Sequence, residues 1–442
     1  MATNAAAKFD LIVWGATGFT AQTNYFFKTW GIGALVAEYL AEHAPADLRW
    51  ALGGRNEDKL KEVKRRAVAL NQNLEKTLGI VQGDATDQAS MDRVVQQTKV
   101  ILTTAGPFGR FGTTLVDACV RHGVHYCDIT GESPWMRTTI DDYHSQARQK
   151  GVHIVHTCGF DSIPSDLGTF FLVEQMRKKY RKECSNVTSY VRLKGGFSGG
   201  TAASLITIIE EGKSMRKKIK SKDHTNMRDP FFLNPSGEGK VVTSVDKDQA
   251  LPAYSKDIGR WTIPFVMAAV NTRVVRRSNA LMNDAYGHDF HYRETAVSNS
   301  FLAAIFTWFM MVLGLIALHV SFTRGLLKKF VLPAPGTGPS REQMRKSFFH
   351  FTLVGRTTDG EKLVAVVKGG DPGYLETAKM LSEAALCLVY QQDSLPSKGG
   401  VLTPATSMGS LLVERLQQAG ITFEIVADAN DASSSQKNKK NA

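Results

Sequence analysis

Cysteine is scarce, five in 442 residues. That is too few to staple a chain of this size, so a disulfide scaffold is excluded and a reducing compartment is expected. Acidic residues are also short, 42 against 54 Lys and Arg, for a net charge of +12. The excess is dispersed, with local runs at Arg177-Lys178-Lys179 and Lys217-Lys218. No nucleic-acid motif accompanies it, so no nucleic-acid partner is expected, and an anionic membrane surface is the better use of the charge. No separate apolar stretch of signal-peptide type stands at the N-terminus. Cys119, His122, His125 and Cys127 are close in sequence, but residues 115–122 read as a helix and 124–130 as a strand. Cys119 then lacks matching geometry with the strand pair, and no metal is expected. No internal repeat is present.

What is present suffices for a large core: 43% hydrophobic and 22% charged residues, at a length that suits two domains. Apolar runs at residues 9–14, 50–53, 78–82, 100–104, 124–129 and 152–157 alternate with helical patterns. That alternation implies βαβ units and a doubly wound parallel sheet. From Gly159 the pattern changes. A helix from Pro164, a strand at 187–193, a glycine-rich loop at 195–200 and a helix at 201–220 precede an irregular stretch at 221–295. A hairpin at 348–356 and 362–368, helices at 374–389 and 408–419, and a strand at 421–426 follow. The expected fold is α/β: a doubly wound N-terminal Rossmann domain at 1–158 and an α+β substrate domain at 159–295 and 335–428. An apolar, membrane-associating segment is inserted at 296–334, and a polar, disordered tail occupies 429–442.

Dinucleotide binding needs a strand, a tight glycine turn and a helix N-terminus whose free N–H groups face the pyrophosphate. Gly15, Ala16, Thr17, Gly18, Phe19 and Thr20 follow the first strand and supply the turn. The third glycine of the fingerprint is missing there. Removing residues 21–32 would join Thr20 to Gly33, restoring both the glycine and an amphipathic helix. The spacing agrees, since Arg55 follows Gly15 by 40 residues, where roughly 20–30 is usual. Residues 21–32 therefore read as an insertion where the pyrophosphate should lie. The alternative is a longer helix whose apolar end packs on the core.

The second strand ends Leu52-Gly53-Gly54-Arg55, without the acid that would bind a ribose 2′-OH. Arg55 suits a 2′-phosphate and Lys59 adds charge, so NADP(H) is the expected cofactor. Asp84 and Ala85 suit the adenine edge. Ala105, Gly106 and Pro107 let the backbone approach the ribose and pyrophosphate.

Later strand ends carry Gly131 and Glu132, then Phe160, Asp161, Ser162 and Asp166. By the strand-end rule these border the nicotinamide. Gly131 and Glu132 are candidate cofactor contacts, Asp161 and Ser162 candidate catalytic groups, and Phe160 and Asp166 candidate substrate contacts. Ser165 or Asp166 can alternatively cap the next helix. Ser198, Gly199, Gly200 and Thr201 form a second loop-to-helix start, suited to substrate, an anion or the far side of the cofactor.

The stretches G-A-T-G-F-T, G-G-R-N, T-A-G-P-F, Y-C-D-I-T-G-E, G-F-D-S-I-P-S-D-L-G, S-G-G-T and G-G-V-L-T-P-A together resemble the saccharopine dehydrogenase-like oxidoreductases. The resemblance covers most of the chain and extends to bacterial trans-acting enoyl reductases of glycolipid synthesis. It implies a Rossmann domain, a nicotinamide cofactor and association with lipid droplets or membranes. Residues 21–32 depart from the pattern. No Arg cluster for clamping the carboxylates of saccharopine stands near these motifs. Tyr-x-x-x-Lys, which a short-chain dehydrogenase needs on a helix, occurs at Tyr190 to Lys194, on an expected strand. An acyl or enoyl chain is the better hydride acceptor.

Residues 301–318 carry no charge, and Val320 and Phe322 extend the run to about 22 residues, long enough to span a bilayer. Arg324, Lys328 and Lys329 follow, as beside anionic lipid. A buried core helix is the rival. Strands on both sides belong to one expected sheet, which favours a monotopic or re-entrant insertion. The function read from the sequence is an intracellular NADP(H)-dependent oxidoreductase acting on a small-molecule, acyl or lipid-linked substrate at a membrane or lipid-droplet surface. A homo-oligomer is compatible with it. The alternative is a lipid-surface protein that keeps the fold without turnover.

Overall fold

The computed structural model describes residues 7–17, 31–195, 226–235, 240–330 and 339–426. Gly18, Phe19, Thr20, most of the 21–32 segment, Ser198, Gly199, Gly200, Thr201, the helix expected at 201–220 and the C-terminal tail lie outside the described residues.

Six parallel strands come first: β1 (Phe9–Trp14), β2 (Trp50–Gly54), β3 (Gly79–Gln82), β4 (Thr98–Thr103), β5 (His125–Asp128) and β6 (His153–Val155). Next come β7 (Cys184–Lys194), β8 (Ala253–Ser255), β9 (Arg260–Pro264), β10 (His291–Ser298), β11 (Phe348–Thr357) and β12 (Lys362–Gly369), then β13 (Gly400–Leu402) and β14 (Thr422–Val426). They form two seven-stranded sheets, in the orders β13-β6-β5-β4-β1-β2-β3 and β14-β12-β11-β7-β10-β9-β8. Every residue of β1 and β2 is buried, because helices cover both faces of the first sheet; hence these strands read as unbroken apolar runs. The second sheet is mixed, with β10 parallel to β7 and its other pairs antiparallel.

The expected domain division at residue 158 does not follow the sheets. β13 pairs with β6, so the first sheet takes a strand from the C-terminal third. The helix Leu375–Tyr390 packs against the helix Ile32–His43 and β4, covering the first sheet as well. A strand as short as Gly-Val-Leu has no periodicity to announce which sheet it joins.

The stretch 221–295, read as irregular, holds β8, β9, β10 and the helix Ala268–Leu281. That helix has no amphipathic stripe, because eleven of its residues are buried, three of them arginines. Backbone carbonyls hold two of the cations: Arg276 donates to Asp246 O and Tyr292 O at 2.9 Å, and Arg277 to Val401 O at 2.7 Å; Arg273 pairs with the Asp248 carboxylate. Buried Arg is rare enough that composition argues for a surface. Cys119 packs into the core on one side of the first sheet and Cys127 on the other, so the sequence cluster does not converge.

Candidate active site

The turn after β1 is built for close approach. Gly15 has φ +79°, where a side chain is disfavoured, and its N–H donates to Gly53 O at 2.9 Å. A Cβ on Gly15 would stand 2.9 Å from the Ala105 nitrogen. Ala16 is fully buried behind it, and Thr17 closes the described turn. The chain returns at Gly31, which is extended, so the helix Ile32–His43 begins there rather than continuing one that began near residue 20. A Cβ on Gly33 would stand 2.4 Å from Gly15 O and 2.8 Å from Thr104 Oγ1. Gly33 thus does what the third glycine of the fingerprint does, letting helix and strand pack closely. Gly15 and Gly33 are thus brought into contact across the stretch 18–30, which lies outside the described residues.

Arg55 is exposed just past β2. Gln82 Nε2 donates to its carbonyl at 3.0 Å. The Lys59 amide caps on Asn56 Oδ1 at 2.9 Å, starting the helix Glu57–Leu70. Asp84 follows β3, and the Thr86 amide and hydroxyl, at 2.9 and 2.8 Å, hold its carboxyl below its ordinary value, with the Arg55 charge helping. Ala85 is buried in the adjacent core. These groups lie together at the ends of β2 and β3, at one edge of the first sheet.

The opposite end gathers on Asp128, at the carboxyl end of β5. Its buried carboxylate accepts from Tyr126 OH (2.8 Å) and Thr130 N–H (3.0 Å), and lies 2.8 Å from His156 Nδ1. The Thr157 amide reaches it at 3.4 Å. Thr157 has φ +60°, a conformation that costs a β-branched residue roughly 1–3 kcal/mol and is held only where surroundings over-determine it. Asp128 thereby ties together the two loops that carry the candidate reacting groups. Sequence reading passed over Tyr126, His156 and this role of Asp128.

Asp161 is partly exposed. Its carboxyl is raised to about 7, first by burial and then by the Asp128 charge. Gly131 faces it: a Cβ there would come within 3.6 Å of Asp161 Oδ1. Beside it, Phe160 packs its ring on Phe349 at 5.3 Å and Phe351 at 5.8 Å.

Ser162 departs from the expected catalytic role. It is fully buried, and its hydroxyl donates to Asn271 Oδ1 at 2.9 Å. Asn271 in turn donates to Glu294 Oε1 at 2.8 Å, and Tyr292 OH to Glu294 Oε2 at 2.9 Å. Burial raises Glu294 to about 7. Ser162 therefore fastens the reacting loop to the second sheet. Asp166 is likewise sealed, accepting from Ser278 and from the Ala405 amide at 2.9 Å, rather than facing substrate. Glu132 accepts from the Phe108 and Gly109 amides, both at 2.9 Å. Its carboxylate thus orders the Ala105-Gly106-Pro107 loop that would approach the cofactor. In each case a long-range partner claims a side chain that the sequence places at a strand end.

The description "Saccharopine dehydrogenase NADP binding domain" matches residues 31–155. Over 432 residues the chain is 37% identical to a Mycobacterium tuberculosis protein provisionally named a trans-acting enoyl reductase, covering 94% of this chain and 97% of that one. It is 34% identical over 435 residues to a Mycobacterium bovis trans-acting enoyl reductase, covering 95% and 98%. The chain belongs to the saccharopine dehydrogenase-like oxidoreductase family. Apo saccharopine dehydrogenase (L-Glu forming) from Saccharomyces cerevisiae shares the fold, with TM-score 0.51 at 12% identity, covering 95% of this chain and 100% of that one. The family domain is an NADP-binding one, which agrees with NADP(H) as the cofactor. Its match begins at residue 31, immediately after most of the inserted segment.

Proposed function

We propose that this family member reduces an activated C=C bond in an acyl or lipid-linked substrate at a membrane or lipid-droplet surface. Asp161 carries the reading: a partly exposed carboxyl raised to about 7, across from Gly131 and next in sequence to Phe160, whose ring packs on Phe349. NADPH, when bound, supplies the hydride that the β-carbon of an enoyl group accepts. Asp161 holds the balancing proton for the α-carbon and is left as a carboxylate, which solvent reprotonates. The products are a saturated chain and NADP+. Asp128 keeps the loop in register, and Gly131 leaves room above Asp161. The name of the bacterial relatives supports the substrate class.

The surface location draws on the helix Phe301–His319. Its mean hydropathy is 2.4, and 11% of that apolar window is buried. Leu302 is 77% and Phe306 67% exposed, which disfavours the core-helix alternative. The helix Ser321–Phe330 follows at once and contacts it at the junction, where the Thr323 hydroxyl donates to Ala317 O and Arg324 to Leu318 O. β10 precedes the segment, β11 follows it, and both pair with β7. Both flanks therefore stay on one side, which fits an insertion that enters and returns. Each large apolar side chain taken from water contributes roughly 1.5–3 kcal/mol.

The test measures NADPH oxidation by long-chain enoyl thioesters together with flotation on phosphatidylserine-containing vesicles. Substrate-dependent oxidation is expected, with flotation lost when residues 299–334 are deleted. No oxidation with any enoyl chain contradicts the reductase; flotation that survives the deletion contradicts the anchor.

A further inference from the structure

We infer that an acyl chain reaches Asp161 from the lipid surface along an apolar track on one face of β9. This rests on reading Asp161 as the reacting end. Alternate residues of a strand share a face, so Trp261, Ile263 and Phe265 at and just beyond β9 line up together. At one end, the Trp261 ring lies 4.7 Å from Phe301, the first residue of the lipid-facing helix. At the other, Phe265 lies 6.5 Å from Phe351, which lies 5.8 Å from Phe160, the neighbour of Asp161. The strand bridges the roughly 13 Å between Trp261 and Phe265. Apolar side chains thus run from the exposed helix to Phe160, the residue that precedes Asp161.

Ile263, Phe349 and Phe351 are buried, Phe160 and Phe265 pack on that core while partly exposed, and Trp261 is partly exposed at the far end, so the track is the accessible margin of a packed aromatic wall. The polar side chain of Thr262 belongs to the opposite face, where it donates to Ala253 O at 3.1 Å.

The occupant follows from the backbone. β9 is paired with β10 along Trp261–Pro264 and with β8 along Arg260–Thr262, so the edge left beside Ile263 and Pro264 is too short for a peptide strand. A ligand without hydrogen-bonding groups suits such a surface, and the uncharged helix at its end is a source of one. The occupant is the acyl chain of a membrane lipid.

A diazirine-bearing fatty-acyl phospholipid in phosphatidylserine vesicles tests this on the full chain, and labelling requires no turnover. Label is expected on residues 261–265 as well as on 301–319. Ile263→Asp is expected to cut the label at 261–265 by about tenfold, because a charge now faces the chain. The same variant should lower the long-chain to crotonyl specificity ratio about tenfold. An unchanged thermal unfolding midpoint serves as the check of folding, and Ile263→Ser replaces Ile263→Asp if that check fails. Label confined to 301–319, or label on 261–265 indifferent to the substitution, overturns the track. Label on the track without turnover of any enoyl chain overturns the reductase reading and leaves the track standing.

Discussion

Deleting residues 21–32 is expected to tighten NADPH binding at least about tenfold, because charge-assisted bonds from amides to phosphate contribute about 1.5–3 kcal/mol each. The deletion joins Thr20 to Gly33, and Gly33 already stands in position, its missing Cβ allowing the approach to Gly15 O. The helix N-terminus that should meet the pyrophosphate is therefore built, while the residues leading into it are twelve too many for the fingerprint. Fluorescence titration of NADPH against the full chain and the deletion variant reads the difference. Equal affinities would mean that the segment leaves the pyrophosphate contacts intact. An undetectable affinity in the full chain, restored by the deletion, would favour a non-catalytic role for this chain at a lipid surface.

Asp161→Asn is expected to lower turnover of an enoyl substrate by about a hundredfold or more, the usual range for losing a positioned proton donor, with NADPH affinity unchanged. The pH dependence has a definite sign. Burial, then the Asp128 charge, raises the carboxyl to about 7, so the proton is present below that pH and lost above it. The wild-type rate should fall as pH rises through about 7, and the Asn variant should lack that limb. Asp128→Asn removes the neighbouring charge, so the limb should move to lower pH. A wild-type profile flat from acid to alkaline conditions would remove Asp161 from proton transfer.

The central strands β1, β2 and β5 of the first sheet are legible because they are buried on both faces and end at glycine or Asp turns. The regular alternation survives even the insertion, and Gly33 could be picked out by arithmetic alone. The apolar helix is legible from composition. Three things are not. β13 is too short to carry a pattern. The helix Ala268–Leu281 hides because its buried arginines find their partners, two of them on carbonyls and one on Asp248, in other segments. The division of labour at the site also hides. Asp161 and Ser162 are neighbours at one strand end, but Asn271 and Glu294, more than a hundred residues away, decide that Ser162 is sealed. Only the fold brings those partners together.

NADPH and NADH titrated against Arg55 and Arg55→Asp forms, both lacking residues 21–32, measure the cofactor site directly. The Arg55 form should prefer NADPH, and Arg55→Asp should weaken NADPH by about 10–100-fold, the worth of a charge-assisted phosphate contact, while changing NADH little. A preference for NADPH that survives the substitution would contradict the placement of the 2′-phosphate, and with it the reading of the first sheet's edge.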